Sequence, residues 1–397
     1  MQDSKEIDMS YRVMNRDDHY RFDGRPKRIL ALDGGGLRGI LTLGILGRIE
    51  NILRQRHGGG DDFRLSHYFD LIAGTSTGAI IAAALAQGWK VSDLHAEYMK
   101  LGVNVFEKSF FRQGLFRAKY DEKLLISELQ RVYGADTLLG SDTLQTGLLV
   151  VTKRIDTGSP WPVANNPRGR YFDGNDKGRL GNGRYPLWQV VRASTAAPSF
   201  FDPESITIAT EEGKAPVHGN FVDGGVSPFN NPALQALMYV TMNGYNVGWP
   251  TGADKLLLVS LGTGAADPAV AKASLAASQA IGALLSLMQD CATLQQTLLQ
   301  WMSSSATAKV MDRELGDLRH DLVAGSPLLS YLRYDVDLRK EAVQALDPAL
   351  TDAEKIKSLS EMDAPENMDS LHKLGVLAGE RDVQAGDFAS LFDLPRT

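Results

Sequence analysis

One cysteine, Cys291, in 397 residues leaves no partner for an intrachain disulfide. The fold must therefore rest on its core, and a reducing compartment is the simplest setting. Basic charge is not in excess: 42 Lys and Arg stand against 48 Asp and Glu, a net charge of −6. That mild acidity argues against a dedicated nucleic-acid binder, which would show a basic face, so no nucleic-acid polymer is expected as a partner. Residues 1–27 carry scattered charges and no apolar stretch of the kind a secretory leader needs, and the expectation there is a polar arm. The seven histidines form no His-Glu-x-x-His pattern, and Asp173–Gly178 fails as a calcium loop because Lys177 takes a ligand place and no Glu follows at position twelve. Walker motifs are missing too, so neither a metal nor a cofactor is expected. Leu71 to Trp89 runs 19 residues without a charge, and Gly74-Thr75-Ser76-Thr77-Gly78 near its start reads as a tight turn rather than as part of a membrane span.

What is present suits a packed globular chain. Apolar residues make up 43% and charged ones 23%, and the length fits one large α/β domain with an appendage or two ordinary domains. Arg28 to Asp33 is a short apolar run bounded by glycine, a buried-strand signal, and Leu37 to Leu53 follows with helical spacing. Phe69 to Ala73 predicts a second strand, and Ser76 to Gln87 a helix apolar on every side and hence buried. Two strand–turn–helix units in succession imply a parallel sheet covered by helices. Thr146–Lys153 and Lys255–Leu261 predict further buried strands, and Asp173–Gly183 a Gly/Asn-rich hairpin or loop. Leu187–Ala196 reads as a helix stopped by Pro198, and Asn231-Pro232 as the start of another. Ala265 to about Lys309 is Ala-, Leu- and Gln-rich with helical periodicity, and the chain past Asp337 is charged and helix-like.

Gly74-Thr75-Ser76-Thr77-Gly78 fits the G-x-S-x-G elbow, in which a nucleophilic serine projects from a sharp strand-to-helix turn. At the start of a helix its developing oxyanion also meets free N–H groups and the positive end of the dipole. Gly34-Gly35-Gly36-Leu37-Arg38-Gly39 lies between a strand and a helix and offers consecutive amide donors to an anion. It also satisfies the dinucleotide pattern G-x-G-x-x-G, but the next strand ends in Gly74-Thr75-Ser76 instead of an acidic residue, and Glu50 falls mid-helix. Donors from Gly35 and Gly36 facing an acyl oxygen over Ser76 suit the loop better, with Arg38 fixing it or adding charge. Asp223-Gly224-Gly225 ends the extended segment Asn220-Phe221-Val222 and delivers one carboxylate. A serine hydroxyl needs a base within about 2.6–3.2 Å. His218 lies an odd number of residues from Asp223, which along a regular strand puts the two on opposite faces.

Together these blocks resemble the patatin-like phospholipases. The resemblance rests on Asp33–Gly39, Gly74–Gly78, Ala196-Ala197-Pro198-Ser199-Phe200-Phe201, Phe221–Gly225 followed by Asn230-Asn231-Pro232, and Ser260–Gly264, in that order from about residue 28 to 264. It implies a three-layer α/β/α sandwich on a mainly parallel sheet, with a catalytic domain over 28–340 and a helical C-terminal extension over 341–397. It further implies a Ser76–Asp223 dyad, oxyanion donors from Gly34, Gly35 and Gly36, no cofactor, and hydrolysis of acyl esters of membrane phospholipids by a cytoplasmic enzyme working at the membrane surface. Some bacterial members are anti-phage effectors switched on by a cyclic nucleotide that drives assembly, which leaves a cyclic dinucleotide activator and a homo-oligomer as open expectations.

Val103 to Lys119 interleaves Phe106, Phe110, Phe111 and Phe116 with Lys108, Arg112, Arg117 and Lys119, the pattern of an interfacial lip or of a lid's inner face. Trp301 and the Leu and Met residues of 284–302 read as core or oligomer contact rather than membrane anchor. Two alternatives stay open at this level: a Ser–His–Asp esterase using His218 or His320, and a non-catalytic lipid- or nucleotide-binding module.

Overall fold

The computed structural model describes residues 11–107, 122–175, 178–198, 200–265 and 276–396. Most of the aromatic and basic stretch of 103–119, together with Ser199 and the start of the Ala-rich region, falls outside the described residues.

Strand β1 (Lys27–Leu32) lies at the middle of one mixed sheet, with β2 (Leu71–Thr75) on one side and β7 (Leu256–Leu261) on the other, both parallel to it. Beyond β2 stands β3 (Gly147–Arg154), also parallel, and beyond β7 stand β9 (Leu329–Tyr334) and the short β8 (Ser303–Ser304), again parallel. Three antiparallel strands complete the far edge: β4 (Ser159–Ala164) and β6 (Val217–Asp223) pair with β3, and β5 (Glu204–Ala209) pairs with β6.

Why the central strands are apolar without alternation follows from their two covered faces. Leu30 and Leu32 of β1 join one core and Ile29 and Ala31 the other; in β7, Leu257, Val259 and Leu261 divide from Leu256 and Leu258 in the same way. The first core is covered by α1 (Gly39–His57), α2 (Thr77–Ala86) and α3 (Leu187–Ser194). The second is covered by α4 (Ala233–Thr241), with Leu299 of the long helix α5 (Ala276–Met302). The fold is thus a mostly parallel sheet flanked by helices, three layers deep.

The two chain ends differ from the expectation. The described part of the N-terminal arm is packed rather than loose: Tyr11, Met14 and Tyr20 are buried, and Tyr20 donates to Asn165 Oδ1 at 2.9 Å. A few aromatic anchors hold that segment, and a polar average hides them. Nor are the last fifty residues an appendage to a separate catalytic domain. Helix α6 (Met368–Asp382) crosses α1 at glycines, for a Cβ on Gly44 would stand 2.5 Å from the Val376 amide and one on Gly375 2.1 Å from the Leu41 carbonyl. Leu371, Leu374, Phe388 and Phe392 complete the same core as α1. Strands β4, β5, β8 and β9 lack the unbroken apolar run of the central strands, and the sequence reading does not anticipate them; β8 lies inside the stretch read as helical to about Lys309.

Candidate active site

Strand β3 brings two distant residues together. Its residues Leu149 to Arg154 pair with β4 along one side. On its other side β2 pairs as far as Thr75 opposite Val151, and β6 takes over at once with Asp223 opposite Thr152. The residue after Thr75 and the last residue of β6 therefore meet where the neighbour of β3 changes from parallel to antiparallel. There the Ser76 hydroxyl donates to Asp223 Oδ2 at 2.5 Å.

Ser76 adopts φ 53°, ψ −123°, and positive φ is costly for a residue with a Cβ. The flanking glycines make that bend sterically feasible. A Cβ on Gly74 would stand 2.2 Å from the Gly78 carbonyl oxygen, and one on Gly78 2.1 Å from that of Leu32. From Leu71 to Ala86 every residue is buried except Ser76, which is partly exposed. Its amide donates to Ser194 Oγ at 2.8 Å, and the same hydroxyl donates to the Val151 carbonyl at 2.6 Å. Two residues on, the Ala196 carbonyl accepts the Asp223 amide at 3.0 Å, so the turn ending α3 ties down both members of the pair.

The carboxylate is oriented from its other oxygen: the Gly225 amide donates to Asp223 Oδ1 at 2.7 Å, leaving Oδ2 for Ser76. Burial pushes the Asp223 carboxyl up to about 6, against the lowering effect of the Ser76 and Gly225 hydrogen bonds and of the Arg192 charge. Among the described residues no histidine hydrogen-bonds to either group. His218 is exposed and meets Thr207, and His19 pairs at 3.0 Å with Asp70, which precedes β2 and so lies at the opposite end of the strand from Ser76.

The glycine loop is held from several sides. The Gly34 amide donates to the Asn230 carbonyl at 3.1 Å, and the Gly34 carbonyl accepts from Asn230 Nδ2 and Thr263 Oγ1. Gly34 is therefore not an available donor, a correction to its place in the expected oxyanion set. The cause is Asn230, which occupies its amide from 196 positions away. The Leu37 amide is taken as well, by the Met362 carbonyl at 2.7 Å. The amides of Gly35 and Gly36 donate no hydrogen bond among the described residues, which leaves them for an incoming acceptor. Gly36 sits at φ +59°, with the Met362 carbonyl oxygen 2.3 Å from where a Cβ would be. Arg38 is buried instead of lying on the surface, and it reaches the Ser360 carbonyl at 3.4 Å. Burial lowers its pKa to about 10, so it stays charged at neutral pH.

One clasp was not foreseen from sequence. Asp33, just before the glycines, forms a two-pronged buried ion pair with Arg333 of β9, at 3.0 and 2.7 Å. Arg333 also bonds Asp335 at 2.9 Å and Ser260 at 2.8 Å, and Asp335 Oδ1 accepts the Gly264 amide. The cavity lined by Asp136, Leu138, Phe172, Asp173 and Arg184 shares no residue with this site.

A serine on a strained strand-to-helix turn, bonded to a buried carboxylate and facing unbonded amides, is the constellation of the serine acyl hydrolases. Residues 30–237, just over half of the chain, match the model of the patatin-like phospholipases, and the chain belongs to that family. Relatives include a cGAMP-activated phospholipase of Vibrio cholerae, 29% identical over 222 residues covering 53% of this chain and 56% of that protein. A cGAMP-activated phospholipase of Escherichia coli is 30% identical over 219 residues, covering 54% and 55%. A probable inactive patatin-like protein 9 of Arabidopsis thaliana is 30% identical over 253 residues, covering 60% and 61%. The chain thus spans little more than half the length of these relatives, and kinship with a protein named as a probable inactive member makes the site geometry, not membership, the argument for activity.

Proposed function

We propose that the chain is a serine acyl hydrolase that cleaves ester-linked acyl chains from membrane phospholipids, with Ser76 as nucleophile and Asp223 as base. The observation that carries this reading is the 2.5 Å hydrogen bond from Ser76 to Asp223 on the strained elbow. Asp223 takes the proton of the Ser76 hydroxyl as Oγ attacks the ester carbonyl carbon. The Gly35 and Gly36 amides receive the negative charge that develops on the carbonyl oxygen. Collapse breaks the ester bond, and the leaving lysolipid oxygen takes the proton back from Asp223. Water, giving its proton to Asp223, then attacks the acyl-enzyme carbonyl, and the fatty acid is released as the departing Ser76 Oγ takes that proton from Asp223. The test is mass spectrometry of vesicle lipids: the wild type releases fatty acid and lysolipid, and Ser76→Ala releases neither.

A free aspartate titrates near 3.9 and is a poor base for a hydroxyl, so its burial matters. With the Asp223 carboxyl raised to about 6, the proton-accepting form predominates above that pH and is lost below it. Hydrolysis is therefore expected to fall about tenfold per pH unit well below 6. A pH–rate profile with no acid limb in that region would count against Asp223 as base. Ser194 is a positioning residue here. Ser194→Ala removes the bond to the Ser76 amide, worth about 1 kcal/mol, and should lower kcat roughly fivefold while leaving KM unchanged. A loss of melting temperature alone, with kcat unaltered, contradicts that role.

Regulation by a cyclic dinucleotide is a second element of the proposal, supported by the names of the two bacterial relatives. It is tested by repeating the vesicle assay with 3′,3′-cGAMP and related cyclic dinucleotides. We place the enzyme at the cytoplasmic membrane surface. Among the described residues no helix is long and apolar enough to cross a membrane, so contact with lipid would come from the protein's surface.

A further inference from the structure

Helix α5 has two apolar faces, and the described protein covers one of them. On its inner side Gln295 and Leu299 are buried, and the Met288 methyl lies 3.4 Å from the Cβ position of Gly225, beside Asp223. Gln295 also bonds the Pro228 carbonyl. On the outer side Leu287 is 59% exposed, Leu294 58% and Trp301 40%. These three stand seven residues apart, with Cys291 and Leu298, both partly exposed, four residues after the first and second of them. Leu284 continues the same register in the sequence. Seven-residue spacing with apolar residues alternately three and four apart is the seam of a coiled coil. Val323, 49% exposed and bonded through its amide to the Trp301 carbonyl, extends the patch at one end.

We propose that this seam pairs with the same seam of a second copy of the chain. Charge selects the occupant. The helix has no Lys or Arg and one carboxylate, Asp290, in 27 residues, whereas helices that lie on anionic bilayers carry basic residues on their polar face. A neutral stripe with a heptad period is complementary to itself. The seam from Leu284 to Trp301 makes a strip about 27 Å long and ~10 Å wide. Its footprint, on the order of 270 Å², is about a third of what each partner contributes to a standard interface. The dimer is therefore weak and concentration-dependent. Because α5 also packs on the turn after Asp223, pairing would stiffen that turn.

The chain supplies its own reporter. Cys291, the one cysteine, lies near the middle of the stretch from Leu284 to Trp301, so pairing in either orientation brings two copies of it close. Sedimentation velocity on the full chain should show the mass rising toward double with concentration, and copper–phenanthroline should give a covalent dimer. Leu294→Glu, at an exposed position, should keep its melting temperature and lose both signals; Cys291→Ser should lose only the cross-link. A single-copy mass at every concentration without cross-linking overturns the proposal. So does flotation with phosphatidylcholine vesicles that Leu294→Glu abolishes while no dimer forms, because the patch then belongs to lipid. None of these measurements needs hydrolysis, so they stand or fall apart from the proposed activity.

Discussion

Ser76→Ala is expected to lower hydrolysis by about three orders of magnitude or more, and Asp223→Asn by a similar factor. The two losses should not add, because the proton leaves one group for the other in a single step, and the double variant should match either single one. A fluorophosphonate probe separates the roles. It labels wild-type Ser76, fails on Ser76→Ala, and labels Asp223→Asn slowly, since the hydroxyl remains but its proton acceptor does not. Both side chains already sit within 2.5 Å, so no rearrangement has to precede labelling. Full activity in Ser76→Ala with folding intact removes the mechanism altogether.

Arg333→Met should cost about 3–5 kcal/mol of stability, measured as a shift in the denaturant midpoint. The guanidinium is buried against Asp33 and Asp335, and its removal leaves the buried Asp33 carboxylate without its counter-charge, with the partly exposed Asp335 nearby. The Asp33→Asn/Arg333→Met double variant should recover part of the loss, because an amide needs no counter-charge. Activity carries a second signature. Asp33 immediately precedes the glycines, so Arg333→Met should reduce turnover at temperatures where the protein is still folded. A variant as stable as wild type would mean that the pair contributes no more than a surface ion pair does.

The parts of the site that were legible in the sequence are those set by local rules. Ser76 between Gly74 and Gly78, after an apolar strand and before an apolar helix, announces a sharp turn because few other residues can pass so close to neighbouring backbone. The central strands and the helix after Ser76 follow from unbroken apolar runs, which only two covered faces require. Asp223 could be proposed from its place at a strand end and from the absence of a suitably placed histidine. The missed residues act over long separations. Arg333 is 300 positions from Asp33, in a strand whose Ser-Tyr-Leu-Arg-Tyr pattern hides a buried cation. Met362 meets the glycine loop through its backbone carbonyl, for which no side-chain pattern exists. Ser194 lies two residues before a recognised block, and its hydroxyl matters only because Val151 and Ser76 flank it. Gly34 was miscounted as a donor for the same reason: its partner Asn230 is close in space alone.

The reach of the Asp33–Arg333 clasp bears on how the protein comes off the ribosome. Synthesis delivers Ser76 first, Asp223 long after, and Arg333 later still, so a nascent chain can assemble the hydroxyl and carboxylate while Asp33 still lacks its buried partner. Competence for the proposed acyl transfer is thereby deferred until most of the polypeptide has emerged, and truncated translation products should be poor catalysts of it.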